Sequence, residues 1–254
     1  MHRHTALIRG GSLVAALALL AGVSAGPAAA QTSVAVSDTK PLGNATVQSF
    51  TQTDAAGQVV AIGVTFPESL LNRLPQEDTE TVLEIPQATA QTPFTHIAVD
   101  WNPRGHEPLD VYGKPHFDFH FYTISEQTRA AITAAGDDMA RLEKKPDPRA
   151  VPAGYVPTPG GVPKMGAHWI DPKSPEFTGK GFSLTFIYGF YDGNFAFAEP
   201  MVTQTFLETK PHVDEAIAQP EIYPSMKRFP TRFTITYDEK AQTYTVALTG
   251  FHAH

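Results

Sequence analysis

The sequence predicts a mainly β (α+β) domain, an antiparallel barrel or sandwich with one or two short helices and a long Pro-rich loop. Three observations lead there. Seven segments alternate apolar and polar residues with a period of two and are separated by short Gly/Asp turns, the mark of antiparallel sheet. Only two segments follow helical spacing. Proline is dense: 21 of the 22 prolines follow residue 30, and eight lie between Pro146 and Pro175.

Taken in order, residues 58–66 place Val60, Ile62, Val64 and Phe66 on one face. A short helix is expected over 68–74, after Pro67. Strands follow at 96–101 and 116–124. A second helix starts at Ser125, a good N-cap, and runs toward Met139 and Leu142 with a break at Gly136. The Pro-rich stretch 146–175 reads as a long ordered loop, because proline has no N–H to give a sheet and fixes its own φ. Residues 182–190 put Phe182, Leu184, Phe186, Tyr188 and Phe190 on one face. Asp192-Gly193 turns the chain into 194–199, where Phe195, Phe197 and Glu199 share a face. Strands at 232–237 and 243–250 close the list.

Composition narrows the function classes. The chain has 254 residues, no cysteine and a formal charge of −7. That excludes disulfides, thiolate metal sites and cysteine nucleophiles, and the acidic balance argues against nucleic acid as a partner. Residues 1–30 have the three-part layout of a cleaved secretory signal: a basic start with Arg3 and Arg9, an apolar run from Leu13 to Val23, and Ala28-Ala29-Ala30 before Gln31. The run is too short to span a bilayer, which takes ~20 apolar residues. A periplasmic or secreted location is expected, with residues 31–254 as a single β-rich domain and no membrane partner after cleavage. Remaining partners are a second copy of the chain, since exposed sheet edges seek pairing, and a small-molecule ligand. Zincin, nucleophile-elbow, Walker and dinucleotide motifs are absent. The acidic run Glu77, Asp78, Glu80 and Glu84 lacks calcium-loop spacing and reads as solvated surface.

The chemistry concentrates in His116-Phe117-Asp118-Phe119-His120-Phe121-Tyr122. On a strand His116, Asp118 and His120 share one face, and the three phenylalanines take the other. Imidazole and carboxylate suit zinc or copper, and also iron. Residues i and i+4 lie ~13 Å apart on a regular strand. The adjacent pairs His116/Asp118 and Asp118/His120 therefore chelate more naturally, and one residue of the three can orient another. His168, in Gly166-Ala167-His168-Trp169-Ile170-Asp171, and Glu199, whose carboxylate alternation aims at an aromatic face, are the further ligands expected; His106 is a weaker candidate. Two sets stand side by side: His116, His120, His168 and Glu199, or His116 and Asp118 with His168, the latter having the composition of non-haem iron sites. His96, His212, His252 and His254 read as core, loop or terminal residues.

Residues 112–122, the block 166–171, Ile187-Tyr188-Gly189-Phe190-Tyr191-Asp192-Gly193 and Glu199-Pro200-Met201 resemble a family of uncharacterised exported bacterial proteins. One relative is a Thermus protein under an extracytoplasmic stress sigma factor. The resemblance spans roughly residues 90–210. It implies a β-rich secreted domain, with oligomerisation left open and no catalytic residue carried over, and it favours treating His116, His120, His168 and Glu199 as one constellation. The expected function is binding of a divalent transition metal. A metal-dependent hydrolase, cyclase or oxygenase, and a metal-free ligand-binding barrel, are the alternatives.

Overall fold

The computed structural model describes residues 32–86, 90–223, 225 and 227–253; the expected leader at 1–30 lies outside them. Among the described residues, fourteen strands form two antiparallel sheets. The first contains β1 (Ser33–Val36), β2 (Lys40–Leu42), β3 (Ala45–Thr53), β4 (Val59–Pro67), β12 (His212–Ala216), β13 (Arg232–Asp238) and β14 (Thr243–Thr249), in the order β1-β3-β4-β14-β13-β12 with β2 beside β3. The second contains β5 (Thr79–Glu84), β6 (His96–Asn102), β7 (His116–Tyr122), β8 (Val156–Pro157), β9 (Ala167–Ile170), β10 (Leu184–Tyr191) and β11 (Asn194–Thr203), in the order β5-β6-β7-β11-β10-β9-β8.

The sheets stack rather than close, so the architecture is a sandwich and the barrel alternative falls, together with a ligand in a barrel lumen. Aromatic residues from both inner faces fill the space where a lumen would lie. Phe66 of β4 stands 6.0 Å from Phe117 and 6.2 Å from Phe119 of β7, and Phe186 of β10 stands 5.2 Å from Phe233 of β13. Phe117, Phe119 and Phe121 all enter this core, as alternation along β7 requires.

The outer face of the second sheet decides where a site can form. Every residue of β7 is buried, on both faces. A face of histidine and aspartate can be buried only where it finds partners, so the loops crossing it matter more than the strand itself.

The long segment 146–175 is more structured than a loop. It forms β8, with Pro157 on the sheet edge where a missing N–H costs no ladder bond, and the proline-free β9. The expected helix at 68–74 is a 3-10 turn, Glu68–Asn72. The second helix is split into Glu126–Ala131 and Met139–Leu142, with Ser125 Oγ accepting the Thr128 N–H at 3.0 Å as its N-cap. Strand β10 begins at Leu184, and Phe182 packs with Tyr112, Ile187 and Met201 rather than in the inter-sheet core. Strands β1, β2, β3, β5 and β12 escape the periodicity reading. In β3 the inward residues Val47, Ser49 and Thr51 include two small polar ones, which blur the alternation.

The acidic run lies on the surface as expected, but Glu80 is tied down. It binds Arg129, whose guanidinium lies 4.9 Å over the Tyr122 ring, and Lys164 at 3.2 Å. Burial pushes its carboxyl up, and the Arg129 and Lys164 contacts outweigh that and hold it below 4.5. A lowered folded pKa contributes stability above the unfolded value and loses it as pH falls through the folded one. Glu80→Gln is therefore expected to lower the urea midpoint at neutral pH, and the gap from wild type should close well below pH 4.5. A gap independent of pH would show that the ion pairs contribute nothing.

Candidate metal centre

Strand register builds the site. His116 lies opposite Asn102 of β6 and Asp118 opposite Asp100. The reach is diagonal: Asn102 Nδ2 donates to Asp118 Oδ2 at 2.8 Å, and His120 Nδ1 donates to Asp100 Oδ2 at 2.9 Å. Asp100 is a residue the sequence reading missed. Its signal was a lone carboxylate inside the otherwise apolar run Ile97-Ala98-Val99-Asp100-Trp101.

From the other side β11 brings Glu199. A bulge pairs Phe197 with Gly189 and Phe195 with Phe190, leaving Ala196 as the extra residue. This overturns simple alternation: Phe195 enters the inter-sheet core, while Phe197 turns to the outer face with the histidines. Glu199 is a mid-strand residue, 2% exposed, not a strand end reaching solvent. His168, on β9, stands opposite Gly189. The Phe197 ring lies between two of these histidines, its centroid 4.9 Å from that of His120 and 5.2 Å from that of His168.

The residues singled out in the sequence do not form one cluster. His120, His168 and Glu199 come together, with His120 Nε2 3.3 Å from Glu199 Oε1 and His168 Nε2 3.7 Å from Glu199 Oε2. His116 and Asp118 form a separate group with His106, which has a larger place than its sequence context suggested. The four-ligand set containing both His116 and His120 is therefore split, and so is the set joining His116 and Asp118 to His168. The cause is the strand rise: i and i+4 on the straight β7 stand too far apart for one small ion. The pair Asp118/His120 is divided as well, since Asp118 serves His116 while Asp100 serves His120.

Burial and charge set the protonation. Burial works against a charge on His120, but Glu199 and Asp100 outweigh it and raise the imidazole to about 9. Burial raises Glu199 to about 8, against the pull of His120. His168 falls to about 3, through burial and then the cations at His120 and His106. It is a neutral imidazole near pH 7, the state a metal requires. Asp118 lies below the usual carboxylate range, because the neighbouring imidazoles of His106 and His116 outweigh its burial.

Both groups border a cavity of about 840 Å³. His106, Asp118, His168 and Glu199 contribute its polar wall, and Met165, Ile187 and Met201 are among its apolar lining. The volume suits a small organic molecule.

Fold and site thus define a β-sandwich protein with buried His/carboxylate groups of a composition that can hold a metal. Residues 54–101 match the TTHB210-like family, described as hypothetical protein TTHB210. The match covers β4 to β6 and fits the resemblance to an uncharacterised family with a Thermus relative; it ends before the histidine strand. No curated protein and no solved structure matches the chain. Among the described residues, no helix is long and apolar enough to cross a membrane.

Proposed function

We propose that this protein is exported by its leader to the periplasm or beyond, and there binds a divalent transition-metal ion at His120, His168 and Glu199. One observation carries the reading: His120 Nε2 and Glu199 Oε2 are buried with no hydrogen-bond partner, in a group whose ligand atoms lie within 4.8 Å of one another. An unsatisfied buried polar atom costs ~1–3 kcal/mol, and an ion between these atoms satisfies both at once. Asp100 supports the same reading. It holds Nδ1 of His120 and so leaves Nε2 as the free donor, the carboxylate–histidine arrangement of metal ligands. Two imidazoles and one carboxylate suit zinc or copper, then iron, rather than calcium or magnesium, which prefer oxygen.

The cavity favours a second reading, in which the ion is catalytic. The three residues would hold the metal beside a chamber of ligand size, which His168 and Glu199 line. A metal bound by these residues would supply Lewis acidity for a hydrolase or cyclase, or, if it is iron or copper, the redox chemistry of an oxygenase. His168 and Glu199 face the chamber, and Met165, Ile187 and Met201 keep much of its wall apolar.

The test is elemental analysis of residues 31–254, exported in a native host without chelators, beside His168→Ala. His168 lines the cavity wall with its side chain 16% exposed, so removing it disturbs the interior less than removing the fully buried His120. The variant is expected to lose an ion that the wild type carries. Equal metal content in the two proteins overturns the proposal.

A further inference from the structure

We infer that His106, His116 and Asp118 form a second divalent transition-metal site, separate from the first and sharing no donor with it. The loop before β7 builds it. Gly105 adopts φ +69°, and a Cβ there would lie 2.1 Å from the Tyr112 carbonyl oxygen. Only glycine allows that approach, which folds residues 105–107 back over the outer face of β7, with the His106 N–H donating to the Tyr112 carbonyl at 3.3 Å.

The imidazoles are then oriented by main-chain carbonyls. His106 Nδ1 donates to the Glu107 carbonyl at 2.9 Å, and His116 Nδ1 donates to the Lys114 carbonyl at 2.6 Å. A carbonyl oxygen can only accept, so each neutral ring carries its proton on Nδ1 and a lone pair on Nε2. Both Nε2 atoms face the same carboxylate, His116 at 3.1 Å from Oδ1 and His106 at 3.4 Å from Oδ2. Lone pairs facing a carboxylate at that range repel unless a cation lies between them. The alternative cation is an added proton on each ring. A proton on the half-exposed His106, which Asp118 favours, would still leave the lone pair of the fully buried His116 facing Oδ1, and protons on both rings would leave excess positive charge beside a carboxylate that is 3% exposed.

Asp118 carries the independent sign. Asn102 donates to Oδ2 and holds the carboxylate in place, while Oδ1 is buried and has no hydrogen-bond partner. The donor atoms of all three residues lie within 4.8 Å of one another. The set again has two imidazoles and one carboxylate, so its ligand is an ion of the zinc class. With the first ion in place, two such centres would stand about 7 Å apart by the spacing of alternate residues on a strand.

The experiment is titration of the metal-stripped mature chain with Zn²⁺, followed by calorimetry, and with Co²⁺, followed by its visible absorption. Wild type is expected to take up two ions, His106→Ala one, His168→Ala one, and the double variant none. The His106 side chain is 38% exposed, so its removal spares the core, and His106→Gln repeats the test at nearly constant bulk. If His106→Ala and His106→Gln both bind as many ions as wild type, the second site is wrong, whatever His168→Ala does. If His168→Ala alone keeps every ion, the first site fails and the second stands. If wild type takes up none, both fall, and the histidines are protonated partners of their carboxylates.

Discussion

His120→Gln is expected to abolish uptake of the metal ion proposed for the His120, His168 and Glu199 site, whereas Asp100→Asn is expected to weaken it by about 10–100-fold. The difference separates a ligand from the group that orients it. In the proposed site His120 offers its buried Nε2, 3.3 Å from Glu199, as a direct ligand. Asp100 touches only Nδ1, at 2.9 Å, so asparagine keeps the ring in place while removing the negative charge that makes it a strong donor. The affinity of both wild type and Asp100→Asn should rise with pH. His120 at about 9 and Glu199 at about 8 carry protons near neutrality that the ion must displace, so binding releases protons and strengthens as pH climbs toward those values. Zinc affinities from competition with a chromophoric chelator, across a pH series, provide the measurement. Unchanged affinity in His120→Gln would remove the site from consideration.

The second large effect concerns the ring behind His120 and His168. Phe197→Ala is expected to cost ~3–5 kcal/mol, the usual range for emptying a buried phenylalanine site. Phe197 is fully buried and packs edge-on against Tyr122 as well as His120 and His168. Gly189, its partner across the bulge, has no side chain because the ring occupies that space: a Cβ there would lie 2.0 Å from Phe197 Cε1. Gly189→Ala alone is therefore also destabilising. Once the ring is gone the clash is gone, so Gly189→Ala in the Phe197→Ala background should cost little, with a coupling of ~1–3 kcal/mol between the two. Urea unfolding of the metal-free wild type, both single variants and the double variant gives that coupling. Strict additivity would show that Gly189 is glycine for some reason other than the ring.

Much of the second sheet was legible in the residues themselves. The alternation in 116–122 correctly separated the phenylalanines that enter the core from the histidines and aspartate that do not, and the DG turn at 192–193 joined the two longest strands of that sheet. The Ser125 cap was equally plain, since a cap is a contact over three residues. Local chemistry of this kind is written in consecutive side chains and needs no partner from elsewhere. The Pro-rich segment was less legible, because composition reports proline's exclusions and not the four proline-free residues that become β9.

The sequence by itself determined that the chain is a β-domain with a row of potential ligands on one strand, because the two-residue period of a strand is a property of the backbone. Tertiary structure decided how those ligands are shared. Asp100 was joined to His120 by a register across twenty residues of chain, and His106 was returned to Asp118 by a turn that only Gly105 permits. Glu199 was set beside His120 by the register of β11 on β7, past a bulge at Ala196 that turns Phe195 to the opposite face. Each is a contact between segments distant in sequence, and its energy depends on where the whole fold places both partners rather than on the pattern of either one.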